Sequence, residues 1–394
     1  MTHAFARPAL LLLLLGSALP LSAQDKKKGA AAQGKVDQVR VDQAVAKGIA
    51  YLQTTIDTLK STERYGIHLQ SDELVLWTML HAGVSDQDPD LQKLLKRMLD
   101  RKLEATYCVS LQALCLEELD RVKYQGRIAR CAQFLLDNQC KNGQWGYGSP
   151  SPFVDDIPTG GGRKDVASAG GKARVDVSRT TTDRQKPKVV RHIPVTKRRD
   201  GPDAGDNSNS QYAALGLRAC HDAGIVLPKE SIALASKWWR DAQEKATPGG
   251  WGYGGGGAGY GSMTAGAIGS LTIYHFILNE PWKADPEVLN GLQWLAKNFS
   301  MSEHPAHPIS PNDKTWDTMK YFYYLYALER AGMLYETEKI GDQEWYPEGV
   351  KVLLESQDAA GFWGGGVDDT CFAILFLRRA TRKLIDVASE DRKR

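Results

Sequence analysis

Two segments late in the chain place carboxylates beside aromatic residues. Asp317 lies in one segment and Asp368 and Asp369 lie in the other. Their aromatic neighbours are Trp316, Tyr321, Tyr323, Tyr324 and Phe372. A carboxyl group whose surroundings hold it protonated can act as an acid or a base. We therefore treat the three aspartates as candidate catalytic residues and the five aromatic residues as the candidate wall of a ligand pocket.

A polar residue at the start of a helix also has a purely structural explanation. Asp206, Asp317 and the pair Asp368 and Asp369 all lie at or near predicted helix starts. Such residues cap the first backbone N–H groups and interact favourably with the helix dipole. If the starts of several helices gather at one end of the fold, the same residues, with Asp206 as a further ligand-binding candidate, would instead rim one cavity. Both explanations stay open from the sequence.

Two kinds of helix alternate along the chain. One kind is amphipathic and begins near a proline, as at Pro89 and Pro286, with Asp88 and Asp285 as expected N-caps. The other kind, such as 321–328, is apolar on every side and is therefore expected to be buried. Gly83, Gly224 and Gly332, each in an Ala-Gly pair, are expected just beyond the ends of buried helices.

Six pairs of helices follow from this alternation. The half-exposed outer helices are expected near 41–55, 89–100, 126–139, 229–243, 286–299 and 347–357. The buried inner helices are expected near 71–82, 106–119, 208–222, 263–278, 315–331 and 369–380. No polar capping repeat stands at either end, as an open solenoid would require. The pattern therefore favours a ring of helical hairpins in which the inner helices line the inside.

A loop motif recurs between outer and inner helices. Residues 139–145 and 357–363 both read Q-x3-G-x-W, and residues 243–251 contain a longer variant. The glutamine can bond a helix end, the glycine permits the turn, and the tryptophan covers the junction between the two helices. We therefore expect Trp145 and Trp363 to be structural.

These loops resemble the QW repeats of squalene and oxidosqualene cyclases and of protein prenyltransferase beta subunits. The resemblance covers most of 41–385 and is closest to exported bacterial proteins with a single toroid of prenyltransferase and squalene oxidase repeats. It implies an all-α fold, an (α/α)6 toroid of six helical hairpins with inner and outer rings, in agreement with the helix count.

Two family motifs are matched only in part. Asp368-Asp369-Thr370 resembles the end of the D-x-D-D-T acid motif of squalene-hopene cyclases, but Gly366 occupies the position of the first aspartate. Asp369 and Cys371 resemble the zinc-binding D-x-C of prenyltransferases, but no histidine follows to complete a site. We therefore expect neither a metal nor another cofactor.

The ends of the chain and one insertion stand apart from the repeats. Residues 1–23 have an early arginine, a short apolar run and a small-residue site, a pattern typical of a signal peptide. Residues 24–40 read as a linker, 149–206 as a flexible insertion poor in large apolar residues, and 386–394 as a charged tail. The mature chain is expected to be exported, to the periplasm or beyond, without a stable transmembrane span.

Composition limits the classes of function. The 394 residues are 42% hydrophobic and 25% charged, which excludes wholesale disorder and a multi-span membrane protein. The formal net charge of +3 gives no indication of nucleic-acid binding. Together with the resemblance, this favours a module that binds an apolar, terpenoid or glycan ligand, or a protein partner, in an acid-rimmed apolar cavity. The alternative is an enzyme of cyclase or prenyltransferase type, or a glycan lyase, that uses Asp368 and Asp369 as acid and base.

Overall fold

Twelve α-helices form the framework of the part of the chain that the structure describes. The structure is a computed structural model that describes residues 36–59, 62–64, 67–69, 72–157, 186–306 and 315–384, with only the backbone at 62–64, 67–69 and 315–320. One unit runs from Asp37 to the C-terminus. The predicted all-α class is confirmed.

The odd-numbered helices are amphipathic. Their bounds are α1 Gln38–Thr55, α3 Pro89–Asp100, α5 Gln125–Asp137, α7 Lys229–Ala242, α9 Pro286–Lys297 and α11 Trp345–Ser356. In α1 the buried residues form one stripe at helical spacing, which runs from Val41 to Leu52. Asp88 and Asp285 accept hydrogen bonds from first-turn N–H groups, as predicted for N-caps.

The even-numbered helices are buried on nearly every side. Their bounds are α2 Asp72–Ala82, α4 Thr106–Asp120, α6 Asn207–Asp222, α8 Gly261–Leu278, α10 Thr315–Tyr335 and α12 Val367–Leu377. In α8 every residue from Gly261 to His275 is buried. A helix that is apolar on every side has no polar face to expose to water, so it is buried. The residue composition of each helix therefore predicts whether it is buried or half-exposed.

The helices contact one another in a closed order. Among the even-numbered helices each packs against the next, from α2 through α4, α6, α8 and α10 to α12, and α12 packs back against α2. The odd-numbered helices pack on them, and α1 contacts both α11 and α12. This is the order of contacts that a ring of hairpins requires; the toroid itself stays a prediction.

One predicted helix end is wrong. The sequence predicts Gly332 just beyond the end of an inner helix, but α10 continues to Tyr335. The residue that follows the helix with a positive φ is Glu336. A Cβ atom at Gly332 would lie 2.6 Å from the Trp345 ring. The glycine therefore permits close packing of α10 on α11, whereas Gly83 and Gly224 do follow helix ends with positive φ.

Short strands and the flanks of the predicted insertion complete the described fold. Strands β1 (Thr62–Arg64) and β2 (Ile67–Leu69) pair antiparallel. Strand β3 (Ile193–Pro194) pairs in parallel with β4 (Ile225–Val226) just after α6. Ile193 and Val195 are buried, so this part of the predicted insertion packs against the helices. The middle of the insertion, 158–185, lies outside the described residues, as do the predicted signal peptide and the tail from 386.

Candidate functional site

Three equivalent junctions fix the starts of α6, α8 and α12. The indole N–H of each junction tryptophan donates to a carbonyl near the end of the preceding odd-numbered helix: Trp145 to Leu135 at 2.7 Å, Trp251 to Trp239 at 2.6 Å and Trp363 to Leu353 at 2.8 Å. The backbone N–H of each tryptophan donates to a hydroxyl in the first turn of the following helix: Ser210, Thr264 and Thr370. All three rings are fully buried. Each tryptophan therefore joins the two helices of one hairpin.

The junction glutamines bond to the next hairpin. Gln139 donates to the Ser231 carbonyl at 2.7 Å, Gln243 to Glu287 at 3.0 Å and Gln357 to Ala44 at 2.9 Å. The sequence suggested a bond to a nearby helix end, but each amide reaches the following odd-numbered helix. For Gln357 the next helix is α1, so the junction pattern continues from the last hairpin to the first.

The predicted catalytic aspartates lie in different settings. Asp368 is exposed in the first turn of α12. Asp369 is buried, and its Oδ2 accepts a 2.7 Å hydrogen bond from the N–H of Gly365 in the preceding turn. Asp317 and Trp316 lie on α10, but their side chains are outside the described residues. A shared cavity for these three aspartates therefore stays a prediction.

The predicted aromatic wall divides into two groups. Tyr321 and Tyr324 donate to the carbonyls of Met301 and Ser300, so they hold the loop that precedes α10. Phe372 instead lies among the even-numbered helices, with its ring centre 5.6 Å from that of Tyr323 and 5.8 Å from that of Tyr326. Tyr324 also stacks on His304.

Asp206 lies among tyrosine and serine hydroxyls in a group of polar side chains that we call the tyrosine cluster. Its members are Tyr107, Tyr147, Asp206, Ser208, Tyr253 and Tyr323. The Ser208 hydroxyl bonds to the hydroxyls of both Tyr107 and Tyr323, at 2.5 and 2.8 Å. Asp206 accepts from the backbone and side-chain nitrogens of Asn209, at 2.7 and 2.8 Å, and the nearby Tyr253 hydroxyl also lowers its pKa. Tyr147 in turn lies near enough to Tyr253 to raise the pKa of that phenol. The cluster therefore joins the starts of α4 and α6 to α10.

The tyrosine cluster is partly open to solvent. Tyr253 is 47% exposed, and Tyr107 and Tyr147 are half-buried, whereas Ser208 and Tyr323 are buried. Burial raises the pKa of Tyr323 to about 12, and it raises the pKa values of Tyr107 and Tyr253 as well. The phenols are therefore protonated at neutral pH and can donate hydrogen bonds. Burial also raises the pKa of Asp206, against the lowering effect of its hydrogen bonds.

The sequence predicts Asp206 and Tyr323 as ligand-binding residues, but not Tyr107, Tyr147 and Tyr253. Tyr147 and Tyr253 occupy the same place in two W-G-Y-G segments, 145–148 and 251–254. Each segment begins with a junction tryptophan. The shared pattern therefore indicates that the two tyrosines lie at the same end of their hairpins. That signal was present in the sequence.

Aromatic rings from four of the even-numbered helices contact one another next to the cluster. Tyr212 stacks against Tyr323 with ring centres 6.2 Å apart, and Phe372 contacts Tyr323 and Tyr326. The Trp77 indole donates to the Tyr326 hydroxyl at 3.1 Å. These contacts connect α2, α6, α10 and α12 through side chains.

A cavity lies at the opposite ends of α4 and α6. It offers about 40 Å³ to the centres of water molecules, and its charged walls include Glu117, Glu118, Lys186, Arg218 and Arg382. Lys186 and Arg382 pair with Glu118 and, although burial alone would raise it, hold its pKa at about 2. The charges are thus largely engaged with one another.

The sequence matches no protein-family model and no curated protein.

Among the described residues, no helix combines the length and the apolar character needed to cross a membrane. Histidine, cysteine, aspartate and glutamate do not gather in threes as metal ligands anywhere in the described ranges. No disulfide joins the six cysteines, all of which lie in those ranges.

Proposed function

We propose that the chain is an exported binding module and that its ligand is a glycan held by the tyrosine cluster. The observation that carries this proposal is the convergence of four hydroxyls and one carboxylate from separate hairpins around the exposed ring of Tyr253. A pocket with a few convergent polar groups beside aromatic rings is the usual form of a small-ligand site.

The chemistry of the cluster suits a sugar better than a terpenoid. Sugar rings offer hydroxyls to Asp206 and the phenols, and C–H faces to an aromatic ring such as Tyr253. A terpenoid needs an apolar cavity, and drug-sized ligands occupy roughly 300–1,000 Å³. Tyr212, Tyr323 and Phe372 contact one another beside the cluster, and the cavity at the far end is small and has charged as well as apolar walls.

The enzyme alternative has less support from the described contacts. Asp368 is exposed, and Asp369 accepts from the turn at Gly365. Burial raises the pKa of Asp206, which suits this carboxyl to act as an acid or a base, with a glycan-active lyase as the reaction class. Release of unsaturated sugar products by the wild-type chain would favour this alternative.

Calorimetric titration with a panel of soluble oligosaccharides and terpenoids tests the proposal. We expect at least one oligosaccharide to bind, with the affinity lowered about tenfold or more by Tyr253→Ala and by Asp206→Asn. Tyr124→Ala, beyond the opposite end of α4, is the matched control and should leave the affinity unchanged. Terpenoid binding that is insensitive to Tyr253→Ala would contradict the proposal.

A further inference from the structure

Arg330 is a buried cation that forms no salt bridge among the described residues. It lies on α10, is 2% exposed, and sits over the rings of Tyr326 and Tyr212, at 4.2 and 5.4 Å from their centres. The adjacent acid, Glu329, attracts Arg330 electrostatically but uses its two oxygens for the backbone N–H and the hydroxyl of Thr381. A buried charge without a directly paired counter-charge is destabilising.

Two hydrogen-bond donors next to each other have no acceptor in the described structure. Nη2 of Arg330 donates to Oε1 of Gln211 at 2.6 Å, which fixes the orientation of that amide. Nη1 of Arg330 and Nε2 of Gln211 are both buried and both lack a partner. Each belongs to a side chain that is at least nine-tenths buried. Buried polar groups in proteins are normally satisfied, so two unmatched donors from one pair indicate an acceptor.

A small cavity adjoins these donors. Gln211 and Arg330 line it together with Gly266 and Gly269 of α8, and it offers about 10 Å³ to the centre of a water-sized sphere. A Cβ atom at Gly266 would collide with the Gln211 amide, so the glycine leaves room for that amide. A Cβ atom at Gly269 would meet only the Leu334 side chain, at 3.2 Å. The space fits one small acceptor.

We propose that Arg330 and Gln211 bind a monatomic anion of the size of chloride in this cavity. The positive charge favours an anion over water, and the size of the cavity excludes sulfate and organic acids. The anion neutralises Arg330 between α6, α8 and α10 and so stabilises the folded chain. This site is separate from the tyrosine cluster and does not depend on glycan binding.

Bromide is the probe that locates the site. In crystals soaked in sodium bromide, we expect an anomalous-scattering peak within hydrogen-bond distance of Nη1 of Arg330 and Nε2 of Gln211. A site occupied by water alone, or a protein carboxylate against Arg330, would overturn the proposal.

Thermal unfolding in matched salts tests the energetic role. At equal ionic strength, sodium chloride should raise Tm by roughly 2–4 °C over sodium gluconate, whose anion is too large to enter. Arg330→Met removes the charge and should abolish the difference. Gly269→Ala fills the cavity but keeps Arg330, so it should do the same even if the arginine variant fails to fold.

Arg379→Met is the matched control for the salt effect. Arg379 also lies over two aromatic rings, those of Trp345 and Tyr346, but it pairs with Glu338 at 2.6 Å. Its variant should keep the full chloride dependence. An equal chloride effect in the wild type, Arg330→Met and Gly269→Ala would overturn the proposal.

Discussion

A junction tryptophan combines a large buried ring with one directed hydrogen bond. Trp363 is fully buried and donates to Leu353 at 2.8 Å, while its backbone N–H is held by Thr370. The ring therefore packs between two helices whose ends it also joins. This is why the same residue type recurs at three junctions although the residues between glutamine and tryptophan differ.

Truncation of Trp363 tests this structural role. We expect Trp363→Ala to lower the free energy of unfolding by about 3–5 kcal/mol, the usual cost of removing a buried aromatic side chain. Trp363→Phe keeps part of the ring and should lose less. Half-buried Trp238→Ala is the control in urea denaturation. A Trp363→Ala variant as stable as the wild type would contradict the junction role.

Glu329 should make stability depend on pH. Burial raises its pKa to about 7, whereas an unperturbed glutamate has a value of 4.5. The folded state therefore holds more protons than the unfolded state between these values, and the free energy of unfolding falls as pH rises through this window. Below about pH 4.5 the carboxyl is protonated in both states.

Replacement of Glu329 by glutamine should remove this part of the pH dependence. Urea denaturation from pH 4.5 to 8 is expected to show Glu329→Gln gaining stability relative to the wild type as pH rises. Glu73, whose pKa burial also raises to about 7, should leave a residual slope in the variant. Parallel curves for the two proteins would show that Glu329 does not titrate as described.

Single positions differed in how far the sequence determined them. Asp88 and Asp285 were predicted as N-caps because a cap depends on local spacing alone. Gly332 was placed wrongly because its role depends on Trp345, which packs against it from another helix. Tyr107 is not predicted because it meets Ser208 and Tyr323 only after three helices have packed together.

The helices themselves were predictable to within a few residues. Periodic apolar spacing marks α1 and uniform apolar character marks α12, and both properties are local. The insertion at 149–206 is predicted from its composition. Composition shows that large apolar residues are few, but it does not show where those residues pack. In the structure Ile193 and Val195 are buried beside β4, and Gln125 donates to the Arg191 carbonyl at 2.7 Å.

Two deletions separate the parts of the insertion. Replacement of 158–185 by a flexible linker should leave Tm nearly unchanged, because the cost of loop closure varies slowly with length. Extension of the deletion to residue 200 also removes Ile193 and Val195 and should cost about 3 kcal/mol or more. Equal stability of the two variants, measured by thermal unfolding, would show that residues 186–200 contribute no packing energy.

Contacts between the first and last hairpins distinguish a closed order of helices from an open stack. Gln357 donates to Ala44 in α1, and Arg378 at the end of α12 pairs with Asp42 at 2.8 Å. In an open solenoid the terminal repeats have a neighbour on one side only. In a closed order every junction glutamine makes an equivalent bond.

A matched pair of glutamine variants tests closure in solution. Gln357→Ala should destabilise the chain by about 1 kcal/mol, the net value of a typical hydrogen bond, and Gln243→Ala should do so equally. Both amides donate to a nearby loop carbonyl and to the next odd-numbered helix. A loss for Gln243→Ala with none for Gln357→Ala would indicate an open arrangement.

A crystal structure of the wild-type chain soaked with oligosaccharides and terpenoids tests the proposed glycan site. We predict a sugar ring against Tyr253, with hydroxyls in hydrogen-bond contact with Asp206 and the Tyr107–Ser208 pair. A terpenoid among Tyr212, Tyr326 and Phe372, or a ligand confined to the cavity beside Glu117 and Arg382, would contradict glycan binding at the tyrosine cluster.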